Sequence, residues 1–430
     1  MRTDAPISSG KRPLKARRRL RALAAAAFAW AALAAPALAP AATHSLNEAP
    51  PLKQLGVLTP EEFPLVAEGV RLLYDGYSGR AAEVFDRLRS RLPESPAGEL
   101  GRVLSPAVRL REDPEDSEAR KELEGGLASI EKKARTLLEK DPEDPRGLFY
   151  VGAAHFFRSQ AHRHRRAYWS AVQELRASRE YLGQVVARRA DAWEAYVGLG
   201  GYNYFMDALP AFGKLIRWVL FLPGASREKG LRQLHLAKDR SVLLGPLARS
   251  ILLVAYSAYE KQPGRAEALA LSLHREFPNN PWFHLNLGYL HLATPGRAEE
   301  AVRTFQEVLE RARSGHPNYV REITDRARLG LAAAYHRLER GSDLRRTAER
   351  LLADPPRRPR YAAPLARLLL GKELARGGDL PGAQAQLQRV QEVEDWGHFD
   401  WRARQMGFES GEDIQERAAS ALRSLQGRSH

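Results

Sequence analysis

Residues 69–93 read GVRLLYDGYSGRAAEVFDRLRSRLP, and residues 370–390 read LGKELARGGDLPGAQAQLQRV. In the first, Gly76 precedes a small residue, Ala81, followed by Phe85, Leu88 and then Pro93; in the second, Gly378 precedes Ala383, Leu387 and Val390. Steps of four and three place such residues on one helical face, and a proline a few residues later stops that helix. Upstream, Gly69 and Leu72, or Leu370, Gly371 and Leu374, supply close-packing positions on a preceding helix. The spacing predicts two antiparallel helices brought close together by small residues.

Working outward, the spacing recurs as Ile130, Ala134, Leu137 and Pro142; as Gly230, Leu234 and Ala237; and as Ala301, Phe305 and Val308. Leu269, Leu273 and Pro281 fit with Glu276 in the third place, and Gly264 and Gly296 mark further turns. From Glu61 onward the periodicity is helical, Ala, Leu, Arg and Glu dominate, and no alternating strand pattern intervenes. The chain is therefore read as all-α. The pattern resembles the tetratricopeptide repeat, a helix–turn–helix unit of about 34 residues. That resemblance implies a right-handed α-solenoid over 61–426, with about seven to nine hairpins. Degenerate copies are placed at 145–190 and 327–354, and a capping helix at 410–425. It also implies a protein partner held on the concave surface by the first helix of each pair. On helix phase, Arg158, Arg165, Tyr196, Tyr202, Asn203, Asn286 and His291 are expected to line that groove.

Two stretches depart from the repeat. Residues 207–224 separate Asp191–Met206, an aromatic first helix, from its partner at Arg227–Lys238. They hold an apolar inserted helix, AFGKLIRWVLFL at 211–222, too short to span a bilayer. Its Phe212, Leu215, Ile216, Trp218 and Val219 form either a plug against neighbouring helices or a patch for a partner or an anionic membrane interface. The Gly200–Tyr202 and Arg227–Leu231 flanks also resemble a eukaryotic tetratricopeptide family linked to the mitochondrial outer membrane and inclusion-body clearance. The second stretch is FFRSQAHRHRRAYW at 156–169. With His155 it would form a basic, aromatic stripe suited to an acidic peptide tail, or a solvated face neutralised by Glu174 and Glu180.

The 430 residues carry 67 Lys+Arg against 52 Asp+Glu, a formal +15, with 44% hydrophobic residues and no cysteine. That apolar content rules out wholesale disorder. Absent cysteine excludes disulfides, thiolate metal sites and a cysteine nucleophile. Residues 1–41 combine a basic segment, an apolar block at Ala22–Leu33 and small residues before Ala41, the form of a cleaved signal peptide. Its removal takes away eight cations and one carboxylate and leaves a charge of about +8. Pro-rich residues 42–60 read as a linker.

The remaining cations alternate with Glu on helix faces, so nucleic acid is not expected. No Gly-rich phosphate loop, His-Glu-x-x-His or Gly-x-Ser-x-Gly motif occurs. Neither a cofactor nor a metal is expected, and the chain is read as non-enzymatic. The expectation is an exported scaffold of the bacterial cell envelope, periplasmic or secreted. The alternatives are a peripheral membrane or lipid-binding protein acting through the 210–222 insert, or a small-ligand protein serving a transporter through a closed cavity beside Trp193 and Tyr204.

Overall fold

Three of the expected turns place glycine in the left-handed region: Gly76, Gly296 and Gly378 have φ of 91°, 77° and 85°, a conformation other residues adopt only with strain. The computed structural model describes residues 56–112, 116–165, 167–207, 224–396 and 401–426. Among the described residues the regular elements are all helices, and they pair into eight consecutive hairpins. Helices α1 (Phe63–Tyr74) and α2 (Ser78–Arg91) form the first, and α3 (Ala97–Glu112) and α4 (Ser117–Lys140) the second. The third pairs α5 (Pro145–His164) with α6 (Tyr168–Arg188), and the fourth α7 (Ala195–Asp207) with α8 (Arg227–Arg240). Helix α9 (Gly245–Val254) continues into a π-helical turn at Ala255–Tyr259 before its partner α10 (Pro263–Glu276). Then come α11 (Pro281–Ala293) with α12 (Ala298–Arg313), α13 (Arg321–Arg337) with α14 (Gly341–Ala353), and α15 (Ala362–Arg376) with α16 (Leu380–Gln391). A short α17 (Trp401–Gln405) precedes the last helix, α18 (Gly411–Gln426), which packs on α15 and α16.

From α1 to α16 each helix packs on the next, and most first helices of successive hairpins also touch, as in an α-solenoid. The interlock is the one read from the spacing. Phe85 on α2 is 1% exposed and lies against Gly69 of α1 and Gly101 of α3, where an added Cβ would come within 2.6 and 2.2 Å of its ring. Phe305 on α12 lies between Gly288 of α11 and Gly330 of α13 in the same way. These two hairpins thus insert an aromatic ring between their own first helix and that of the next unit, and Leu182 of α6 does the same between Gly152 and Gly198. Helix starts are closed by side chains: Asp116 accepts from Ala119 N, Asp144 from Arg146 N and Gly147 N, and Ser226 from Lys229 N.

The fold begins within the Pro-rich stretch. Val57 and Leu58 are buried, and Glu62, 1% exposed, accepts from Thr59 N, Ser95 Oγ and Arg146. Residues 1–41 and nearly all of the 207–224 insert, including Phe212, Leu215, Ile216, Trp218 and Val219, lie outside the described residues. What flanks the insert is firmly held: Asp207 accepts from Arg227 N, and Arg227 makes a bidentate pair with buried Glu260, whose Oε1 also accepts from Tyr204. No described helix is long and apolar enough to cross a membrane.

The superhelix closes on itself. Asp75, in the first hairpin's turn, accepts from Asn279 N at 3.0 Å and Asn279 Nδ2 at 2.9 Å. Asn280 Nδ2 donates to Tyr74 O, and Asn318 Nδ2 reaches Asp75 O. These contacts join segments more than 200 residues apart in the chain, with Tyr74 against Phe277 at 5.6 Å between ring centroids.

Candidate functional site

The expected groove residues fall into three groups. Tyr202, Asn203 and His291 face the interior rather than an open surface: they are 2%, 5% and 7% exposed. Arg179 covers the Tyr202 ring, Asn203 Nδ2 donates to Gln233 Oε1 at 2.7 Å, and His291 Nδ1 pairs with Thr304 Oγ1 at 3.1 Å. Their burial corrects the groove expectation, because the first helices are packed on more than one side. Asn286 is taken by the chain itself: Arg402 of α17 donates to its Oδ1 at 3.0 Å. The Arg402 guanidinium also stacks over Trp282 of α11, whose ring Arg326 approaches as well. Arg337 of α13 donates to Gln405 O, so α17 lies across first helices that would otherwise offer a groove. Tyr196 is half-buried, stacked on Trp193, which Arg240 covers in turn.

The third group is the basic, aromatic run, which the structure breaks in two. Helix α5 ends at His164, and Trp169 belongs to α6, so the run is not one helical stripe. Arg158 is held by Glu131 Oε1 at 2.9 Å and Glu174 Oε2 at 3.5 Å. His155 pairs with the same Glu174 at 2.6 Å and stacks on Tyr181. These are the neutralised face that the glutamates offered. Beyond them Arg165 is 49% exposed, with Glu124 no nearer than 4.0 Å. Trp169, 58% exposed, is the most exposed large apolar side chain among the described residues. The α5–α6 edge therefore presents an indole and a weakly paired guanidinium to solvent.

Near the C-terminal end, Trp396 packs on Gly411 and Phe408 is 5% exposed in the core of the last hairpins, whereas Trp401 reaches across to the cluster holding Tyr204 and Tyr256.

A cavity of about 60 Å³ lies among the first helices of the first five hairpins. Neither Trp193 nor Tyr204 lines it, although Glu194 and Val197 do, and Tyr204 is fully buried against Glu260. Its wall takes in Glu194, a residue the sequence reading passed over. Burial raises the Glu194 carboxyl to about 7. Burial also lowers His284 on α11, to about 3; the ring stacks on His274 at 4.4 Å, and both histidines also feel Arg311. Among the described residues, no three His, Asp or Glu side chains are grouped to hold a metal.

No protein-family model matches the chain, and no curated protein matches it. Among solved structures it is similar to yeast Tom70, with TM-score 0.38 and 12% identity over 86% of this chain and 82% of that one. It is also similar to the Cut9–Hcn1 hetero-tetramer of APC/C, with TM-score 0.38 and 14% identity over 84% and 64% of the respective chains. The tetratricopeptide domain of P58(IPK) is similar at TM-score 0.22 and 12% identity, over 85% of this chain and 99% of that domain.

Proposed function

We propose that this protein is a non-enzymatic scaffold of the bacterial cell envelope, exported by its N-terminal segment, that holds a partner protein along one edge of its helical stack. The observation that carries the reading is that Trp169 and Arg165, four positions apart at the α5–α6 edge, are both exposed. Tryptophan and arginine are the side chains that most often dominate protein interfaces, and an isolated indole in water is an unfilled contact. The neighbouring Arg158 and His155 are already neutralised by Glu131 and Glu174. Among the described residues the edge thus offers a weakly paired cation and an apolar plate, which suits a partner segment carrying an acidic residue next to an apolar one.

The test places a photoreactive benzoylphenylalanine at position 169 of the full chain in its native cells, with position 424, exposed on α18, as control. A discrete adduct at 169, absent at 424 and lost on Arg165→Glu with unchanged melting temperature, supports the reading. No adduct at 169, or the same adducts at both positions, overturns it.

A further inference from the structure

The seam that closes the superhelix is a meeting of turns rather than of helix faces: among the described residues neither α1 nor α2 packs along α10, α11, α12 or α13. Two buried imidazoles lie behind it. His274 of α10 and His284 of α11 stack with 21° between their planes. His284 Nδ1 is 3.1 Å from Tyr319 Oη and its Nε2 is 3.4 Å from Oε2 of the exposed Glu307. A carboxylate only accepts, so Nε2 carries the ring proton and Nδ1 accepts from the tyrosine. Tyr319 follows Asn318 in the chain, and its ring packs on His316, whose Nε2 donates to Asn279 Oδ1 at 3.1 Å. The imidazole pair thus leads, through Tyr319 and His316, to the two asparagines that reach Asp75.

A second proton fits neither ring while the seam is closed. On His284 Nδ1 it would set donor against donor at Tyr319, and His274 Nδ1 is buried without a hydrogen-bond partner. A buried charge with no partner is costly. The charged groups around the pair offer little relief. From α12 come Glu307 and Arg311, the latter over the Tyr319 ring at 5.6 Å and bonded to Pro278 O. Asp75 and His316 lie beyond Tyr319, and Arg249 of α9 is spent on Glu276 at 2.6 Å. Burial above all, with Arg311 beside it, lowers both rings.

We propose that the seam is an acid-released latch: proton uptake by the His274–His284 pair parts the first hairpin from the sixth and opens the superhelix, with the hairpins themselves intact. The closed form holds fewer protons, so acid favours the open one. A ring at about 3 when closed and 6.5 when released shifts the balance toward opening only below pH 6.5, by about 30-fold at pH 5 for His284 alone. Local separations of this kind cost less than global unfolding. The latch is independent of the Trp169 edge.

Spin labels on Ser78→Cys and Ser314→Cys, exposed on either side of the seam in a chain with no cysteine of its own, test it by double electron–electron resonance. One narrow distance is expected at pH 8. A longer population should grow between pH 6 and pH 4, with unchanged circular dichroism at 222 nm and full reversal on return to pH 8. His274→Gln with His284→Gln should keep the single narrow distance throughout. If that pair does not fold, His274→Gln alone should require more acid for the same opening. A wild-type chain that stays closed, labels that part only as helicity is lost, or variants that open as the wild type does, which would put the trigger on Asp75 or His316, each overturn the proposal.

Discussion

Replacing Gly330 with alanine tests the interlock on which the stack is built. A Cβ at 330 would lie 2.3 Å from Cζ of Phe305 and within 2.8 Å of two further ring atoms. The ring has no retreat, because Gly288 faces it from the other side, where a Cβ would be 2.6 Å from Cε1. Overpacking of this kind costs about 1–3 kcal/mol, and both flanks being closed argues for the upper end. Against it stands the helix preference of alanine over glycine, about 1 kcal/mol. The net expectation is a destabilisation of about 2 kcal/mol. Gly183, inside α6, has nothing within 4 Å of its would-be Cβ, so Gly183→Ala keeps only the propensity gain and stabilises by about 1 kcal/mol. Urea titrations followed by circular dichroism at 222 nm measure both, with hydrogen exchange over α11–α13 locating the loss, since a repeat stack need not unfold in one step. In a Phe305→Leu background the Gly330→Ala penalty should shrink by about 1 kcal/mol or more, the coupling expected of residues in contact. If Gly330→Ala stabilises the chain as much as Gly183→Ala, the interlock is not what holds the hairpins together.

Two further outcomes follow from the buried ionisable groups. His284 has its folded pKa depressed to about 3 against an ordinary 6.5, so the unfolded chain takes up its proton first as pH falls. Stability should therefore be unaffected by this group above pH 6.5 and decline below it, by about 2 kcal/mol at pH 5; His284→Gln should flatten that limb of the pH–stability curve. Glu260, whose side chain is fully buried between Arg227 and Tyr204, should cost about 3–5 kcal/mol when replaced by Gln, because the Arg227 charge is left uncompensated; thermal denaturation reads this.

The hairpins were legible because their signal is local. Ala81, Phe85 and Leu88 stand three and four residues apart, and the glycines Phe85 meets lie on the preceding and the next helix. The pairing of Asp191–Met206 with Arg227–Lys238 across the insert was legible for the same reason, through Gly230, whose Cβ would lie 2.4 Å from Tyr204 N. The inner side was not legible. Tyr202, Asn203 and His291 were placed by helix phase, but phase does not say which of several faces a neighbouring unit covers. Closure joins Asp75 to Asn279 across 204 residues, and no short-range pattern encodes that. Nor did anything mark Arg402 as the partner of Asn286. Glu194 was hidden as one acid before a helix, where an exposed carboxylate is ordinary. Its one local cue is its place between Ala192-Trp193 and Ala195-Tyr196, in a segment with few other charges.

The stack closes on its own residues, and on the proposed reading the α5–α6 edge rather than an open groove takes the partner. Because the chain has no cysteine, an Asp75→Cys/Asn279→Cys pair reports on that closure alone. Mild oxidation should form the disulfide in the folded monomer and, by tying a loop of 204 positions, raise stability by up to about 5 kcal/mol on the chain-entropy estimate. Two thiols that stay free and equally reactive to alkylation, as in a solenoid whose first hairpin stands clear of the sixth, would contradict it.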